Sequence, residues 1–312
     1  MRVVFLGTPD FSVGALQALV DNNYEVVAVV TQPDKARNRG VISYSPVKEK
    51  ALELGLKVLQ YNKIRVEGVD DLKALKPDIM VTCAYGQIIS QEILDIAPHG
   101  VINVHASLLT KYRGSSPIQW SILNGDKKTG VTIMQTSLGI DSGDIILQKE
   151  VDIKDNETAG ELFDRLSELG AKALIEALEL ICNNKETFTK QDESMVSHVS
   201  MIKKEDGKIN WNKSAQEISW LVRGMNPWPS AFTYIRGKMF KIWEARVENE
   251  NIEEMANMPV ASLYIQNKRC FVKCNNSILE LLTVQMEGKK RMDAKSFLAG
   301  FRLEGEEQFD NE

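Results

Sequence analysis

Cysteine, histidine and long apolar runs are scarce in this chain, and each scarcity closes off a class of protein. The four cysteines, Cys83, Cys182, Cys270 and Cys274, are too few and too scattered over 312 residues to frame a disulfide-stabilised fold, so a reducing cytoplasm is the expected compartment. Cys270 and Cys274 lie four apart in a strand-like run. Without a second close pair or a nearby His they do not make the four ligands of a structural zinc ion, and no metal site is expected. No stretch approaches the roughly 18 apolar residues of a membrane span. The chain opens directly on Val3-Val4-Phe5-Leu6, so neither a signal or transit segment nor a membrane partner is expected. Nor is there a global positive charge: 38 basic against 43 acidic side chains leave a net charge of −5. Any contact with nucleic acid must therefore be local.

The charge that is present is unevenly placed. Residues 1–200 carry 21 basic and 27 acidic side chains, whereas 203–303 carry 17 basic and 11 acidic. Beyond them Glu304, Glu306, Glu307, Asp310 and Glu312 form an acidic end, which reads as a solvated tail. A chain of this length can bury a full core and suggests two domains. In the first half, apolar runs at 2–6, 25–31, 78–84 and 101–104 read as strands, and amphipathic stretches at 11–20 and 46–54 read as helices. That alternation predicts an α/β domain with a mostly parallel, Rossmann-like sheet. Ser45 before Pro46 is a helix start signal, and Gly55 a matching stop. Thr158 and Glu161 form a capping box that opens a long helix toward Cys182.

Between residues 183 and 204 the periodicity fails, which predicts a linker. The expected division is a catalytic domain over 1–184, a linker over 185–204 and a C-terminal domain over 205–312, so that a fragment ending near 184 should fold. The C-terminal domain begins with a helix capped by Ser214 and Glu217. Short strand-like runs follow at 231–235, 239–247, 260–265, 270–273 and 278–285. Several short strands in so little sequence predict a small, OB-like β-barrel.

Two stretches carry chemistry. In the first, Asn103 and His105 lie two apart on a strand and so face the same way. An amide donor beside an imidazole suits acyl transfer, where an oxyanion develops and a proton must move. In the second, Asp141 lies in a loop between Gly139 and Gly143, whose glycines allow a tight backbone and a firmly placed carboxylate. Gly7 after the first strand is no nucleotide fingerprint, since the other two glycines are missing.

The sequences Asn103-Val-His105-Ala-Ser107-Leu-Leu-Thr110-Lys-Tyr-Arg113-Gly114 and Gly139-Ile-Asp141-Ser-Gly143-Asp144 resemble the formyltransferases that use 10-formyltetrahydrofolate. Gly7-Thr8-Pro9-Asp10-Phe11, Thr31-Gln32-Pro33-Asp34, Ala84-Tyr85-Gly86 and Asn226-Pro227-Trp228-Pro229 are similar to the branch that formylates methionyl initiator tRNA. The match runs over nearly the whole chain, the 183–204 stretch and the acidic end excepted. It departs at Thr110, where the family usually has Pro, and at Asn38, where Gly is common. The resemblance implies Asn103, His105 and Asp141 as the catalytic set, and Ser107, Leu108, Leu109 and Thr110 as the folate-lining loop. Arg37 and Arg39, in an inserted loop over 35–44, would contact tRNA. It further implies 10-formyltetrahydrofolate as formyl donor, methionyl initiator tRNA as acceptor, a monomer, and a bacterial-type cytoplasm.

Overall fold

The computed structural model describes residues 1–37, 41–301 and 307–310, which form two compact units whose borders interleave along the chain. Unit 1 takes residues 1–117, 128–152 and 163–199; unit 2 takes 118–127, 153–162 and the described residues from 200 onward. The stretch read as a linker is thus ordered into unit 1 as far as Val199.

In chain order the strands of unit 1 are β1 (Arg2–Gly7), β2 (Glu25–Thr31), the hairpin β3 (Lys35–Arg37) and β4 (Val41–Ser43), β5 (Val58–Gln60), β6 (Ile79–Cys83), β7 (Val101–His105), the short β8 (Arg113–Gly114), β9 (Lys128–Gln135), β10 (Ile145–Asp152) and the short β11 (His198–Val199). The main sheet runs β10-β9-β7-β6-β1-β2-β5. It is parallel from β7 to β5, while β9 and β10 each lie antiparallel to their neighbour. Val3, Val4, Phe5 and Leu6 in β1 are all buried, as an unbroken apolar run must be where both faces of a sheet are covered.

The helices are α1 (Val13–Asp21), α2 (Pro46–Glu53), α3 (Ile64–Glu67), α4 (Val69–Leu75), α5 (Gln91–Leu94), α6 (Pro117–Leu123) and α7 (Ala159–Cys182). Their starts follow the sequence signals. Ser45 accepts from the Lys48 amide at 3.2 Å ahead of Pro46. Thr158 and Glu161 cap α7 reciprocally, at 2.8 and 3.3 Å. From β1 the chain builds β2 and β5 to one side, then β6 and β7 to the other. This reversal makes a topological switch point at the carboxyl ends of β1 and β6, a place where such sheets commonly hold ligands.

Unit 2 contains α6 from Ile118 onward and α7 as far as Leu162, together with α8 (Ala215–Gly224), β12 (Ala231–Ile235), β13 (Lys238–Glu248), β14 (Leu263–Gln266), β15 (Arg269–Lys273), β16 (Ile278–Met286), β17 (Met292–Asp293) and α9 (Ala294–Gly300). The antiparallel order is β12-β13-β16-β15-β14, with β17 on β16. Residues 307–310 bridge its two edges. The Leu263 amide donates to Glu307 O at 2.9 Å, the Phe309 amide to Ala261 O at 3.0 Å and the Asp310 amide to Tyr234 O at 2.9 Å, giving the sheet a small barrel-like form.

For residues 307–310 this corrects the reading of the acidic end as a solvated tail; Glu304, Glu306 and Glu312 lie outside the described residues. Phe309 is buried and stacks on Trp211 at 5.2 Å; burial of such a side chain is worth about 2 to 3 kcal/mol. Glu307 is also buried, and the Arg236 guanidinium grips it at 2.5 and 2.6 Å. Cys270 and Cys274 are buried free thiols. Among the described residues no helix is long and apolar enough to cross a membrane.

Candidate active site

Strand alternation puts Asn103 and His105 on one face at the carboxyl end of β7, between β6 and β9. The Thr82 hydroxyl on β6 donates to Asn103 Oδ1 at 2.9 Å. This turns the amide nitrogen toward Asp141, whose Oδ1 it reaches at 3.4 Å.

His105 is 6% exposed, and its Nε2 lies 2.9 Å from the Tyr112 carbonyl. A carbonyl only accepts, so Nε2 carries a hydrogen and Nδ1 is left as the nitrogen that gains or loses a proton. Nδ1 is 3.6 Å from Asp141 Oδ2, too far for a hydrogen bond but near enough to attract the charged ring.

Asp141 holds its place against local preference. Its φ of +46° is in the left-handed region, a conformation uncommon outside glycine. The Gly114 amide donates to Asp141 Oδ2 at 2.8 Å. Gly143 is required close by, because a Cβ there would lie 1.6 Å from Gln135 O.

The chief brace is Gln191, a buried residue in the stretch read as linker. Its amide nitrogen donates to the carbonyls of Asp141 and Gly143, both at 2.8 Å. Its oxygen accepts from Arg113 Nε at 3.0 Å. The buried Arg113 reaches on to Glu193 at 2.7 Å, holding that carboxyl below the usual carboxylate range by hydrogen bonding. Ser197 Oγ accepts from the Tyr112 amide at 2.9 Å, and β11 pairs in parallel with β8. Gln191, Arg113 and Ser197 were not singled out as site residues from the sequence. They sit in short or aperiodic segments, and the one available signal was the place of Arg113 inside the Tyr-Arg-Gly motif.

The loop after β7 is tied to β9 and β10. Thr132 Oγ1 donates to Ser107 O at 2.7 Å and accepts from the Leu109 amide at 3.1 Å. Gln148 donates to Leu109 O at 2.7 Å. Ser107 and Leu109 are buried, whereas Leu108 and Thr110 keep partly exposed faces; the Leu109–Thr110 peptide is cis. Arg37 belongs to β3, a separate two-stranded element, and Arg39 lies outside the described residues. The root of that hairpin is fixed: Asp34 accepts from Lys48 Nζ at 2.5 Å and from Gln60 at 3.0 Å. The Lys48 hydrogen bond holds the Asp34 carboxyl below its ordinary range.

The structure therefore gathers an amide, an imidazole and a carboxylate in unit 1, as the sequence motifs led one to expect. Residues 1–178 match the family described as Formyl transferase, and residues 201–302 match Formyl transferase, C-terminal domain. The chain is 47% identical over 306 residues to the methionyl-tRNA formyltransferase of Agathobacter rectalis, covering 97% of this chain and 98% of the relative. It is 47% identical over 309 residues to that of Lachnospira eligens, with the same coverage of each. An N-formyltransferase from Helicobacter canadensis, solved in complex with folinic acid and dTDP-3-aminofucose, matches with a TM-score of 0.69 over 90% of this chain and 98% of its own. At 24% identity that likeness shows the fold. Similarity to the curated relatives over nearly the full length of both chains goes further: this chain belongs to the methionyl-tRNA formyltransferase family.

Proposed function

We propose that the chain transfers the formyl group of 10-formyltetrahydrofolate to the α-amino group of methionine carried by initiator tRNA, with Asn103, His105 and Asp141 as the catalytic set. Ser107, Leu108, Leu109 and Thr110 line the folate site, and Arg37 and Arg39 meet the tRNA. The observation that carries this reading is the convergence on Asp141 of Asn103 Nδ2 at 3.4 Å and His105 Nδ1 at 3.6 Å. When bound, the folate supplies an electrophilic formyl carbon on a nitrogen leaving group. The donor set fits that chemistry, with a hydrogen-bond donor for the oxygen and a relay for protons.

α-Amino groups titrate near pH 8, so a neutral nucleophile is available close to neutrality. As its nitrogen bonds to the formyl carbon, Asn103 Nδ2 donates to the oxygen that gains negative charge. His105 takes up and returns a proton through Nδ1, its Nε2 hydrogen being committed to Tyr112. Asp141 balances the imidazolium charge in the interval. The proton lost by the amine thus reaches the nitrogen released when its bond to the formyl carbon breaks, and the site returns to its starting state with nothing oxidised or reduced. Four free thiols accord with a reducing compartment, a bacterial-type cytoplasm on this reading. The basic excess over residues 203–303 supports that stretch of unit 2 as the part that meets the tRNA.

The test is formylation by the purified chain, with 10-formyltetrahydrofolate and tRNA charged with methionine. Formylation of charged initiator tRNA, with little for elongator tRNA and none for uncharged tRNA, is expected. Transfer to a small amine such as an amino-sugar nucleotide, with charged tRNA left untouched, would overturn the assignment.

A further inference from the structure

The described residues of unit 2 include five arginines, and four of them are committed. Arg223 donates to Glu157 O at 3.0 Å. Arg236 pairs with Glu307, while Arg246 and Arg269 both pair with Glu280. Among the described residues the Arg291 side chain has neither an acidic partner nor a hydrogen bond, yet it is not loose. Its guanidinium lies 3.5 Å from the centre of the Trp243 ring.

The platform beneath it is built. Trp243 is 9% exposed, and its indole nitrogen donates to Gln285 Oε1 at 3.1 Å. Gln285 in turn donates to Lys289 O at 2.9 Å, which ties the ring to the turn carrying Arg291. Lys241 faces Gln285 across the β13–β16 pair, with its ammonium 5.6 Å from the same ring. Lys289 and Lys290 are exposed beside Arg291.

The nearby acids are turned to other work. Glu287 accepts from the Met239 amide at 3.0 Å, Glu244 accepts from the Thr283 hydroxyl at 2.7 Å, and Asp293 caps α9 through Ser296 at 2.8 Å. In a chain of net charge −5, these four cations form no ion pair among the described residues. Stacking has already ordered the guanidinium, so its planar fork can take an anion at little further entropic cost. A planar fork with adjacent ammonium groups suits phosphate oxygens spaced along a strand.

We propose that Arg291, stacked on Trp243 and flanked by Lys241, Lys289 and Lys290, is a phosphate-gripping surface that holds the sugar–phosphate backbone of the RNA substrate. This rests on the reading of that substrate as a charged tRNA. The test uses the full chain and variants Arg291→Ala, Arg291→Lys and Lys241→Ala, all at exposed or half-buried positions. Direct binding of methionyl initiator tRNA is measured across a salt series, separately from turnover.

Arg291→Ala should weaken binding about fivefold at 0.15 M salt and make the log–log salt slope shallower by roughly 0.7 to 0.9, the loss of one phosphate contact. The KM for tRNA should rise with kcat and the folate KM unchanged. Arg291→Lys should keep the slope while losing part of the affinity, since it keeps the charge and loses the stacked fork. Wild-type affinity and slope in Arg291→Ala would overturn the surface. So would unchanged RNA binding accompanied by lost binding to vesicles of anionic phospholipid, which would make it a membrane-facing patch. A wild-type chain that binds the tRNA but does not formylate it would refute the enzymatic reading and leave this surface standing.

Discussion

Asp141 is asked to face Asn103, His105 and the Gly114 amide with one carboxylate, and it does so from a left-handed backbone. A residue in that conformation stays there only if its surroundings hold it. Its own carbonyl is held by Gln191, together with that of Gly143, so Gln191 acts on the chemistry through position rather than charge. Gln191→Ala should lower kcat by about tenfold to a hundredfold, because small misplacements of a reacting group cost that much, while the KM for tRNA changes little. Steady-state kinetics checks this, and a wild-type kcat would show the brace to be dispensable. Asn103→Ala, His105→Ala and Asp141→Ala should each cut turnover by about a hundredfold or more, the usual loss for groups that act on the transition state. Binding of charged tRNA should survive in all three. Near-normal turnover of His105→Ala at saturating substrate would contradict the proton relay.

Elements whose signals are local behave as their sequences say, and α8 gives the clearest case. Ser214 Oγ accepts from the Glu217 amide at 3.2 Å, and Glu217 answers the Ser214 amide at 3.0 Å. Hydrogen bonds to the Glu217 carboxyl, from the Ser214 backbone amide foremost and from the Ser214 hydroxyl at 2.8 Å next, pull it down to about 2. A depressed folded pKa gives stability that is fully present above the unfolded value near 4.5 and is lost as pH falls toward about 2. Ser214→Ala keeps the backbone amide but loses both hydrogen bonds of the hydroxyl, and should destabilise the chain by about 1 kcal/mol at neutral pH. The gap between it and the wild type should narrow below pH 4, as read by denaturant melts across pH. A gap constant with pH would show that the hydroxyl's bond to the carboxylate takes no part. The same logic made Ser45-Pro46, Thr158-Glu161 and the strands around Asn103 legible, since period and caps are written within a few residues. What the sequence hid is made of distant partners. The two-residue β11 has no period of its own, and exists because β8 lies beside it. Gln191 looks like any polar residue until the loops at 113 and 141 are brought to it.

For the molecule as a whole, the border drawn by composition and the border drawn by packing differ. Loss of periodicity after residue 183 suggests a catalytic piece that ends there, and Glu304 through Glu312 suggest a tail outside the fold. Both inferences treat chain order as spatial order. Instead, residues 118–127 and 153–162 pack within unit 2. There the Gly160 amide donates to Asn226 O at 3.0 Å and Glu157 O accepts from Arg223 at 3.0 Å; a Cβ on Gly125 would strike the Trp220 ring at 2.3 Å. No single cut can separate the units without stranding one of these segments. A fragment of residues 1–184 leaves both segments without their unit 2 partners, and it also lacks Gln191, Ser197 and β11, which brace the loops at Tyr112 and Asp141. Such a fragment should melt without one sharp transition and show formyl transfer to no acceptor, even to free methionine amides at high concentration. A fragment of residues 1–199 regains the bracing of the catalytic loops but still strands 118–127 and 153–162. It should therefore recover part of its order around Asp141, seen as slower amide exchange there, without regaining the cooperativity of the whole chain. Melting curves and amide exchange on the two fragments decide the matter. If residues 1–184 unfold as sharply as the intact protein, the border belongs where composition puts it and the interleaved segments contribute little to the fold.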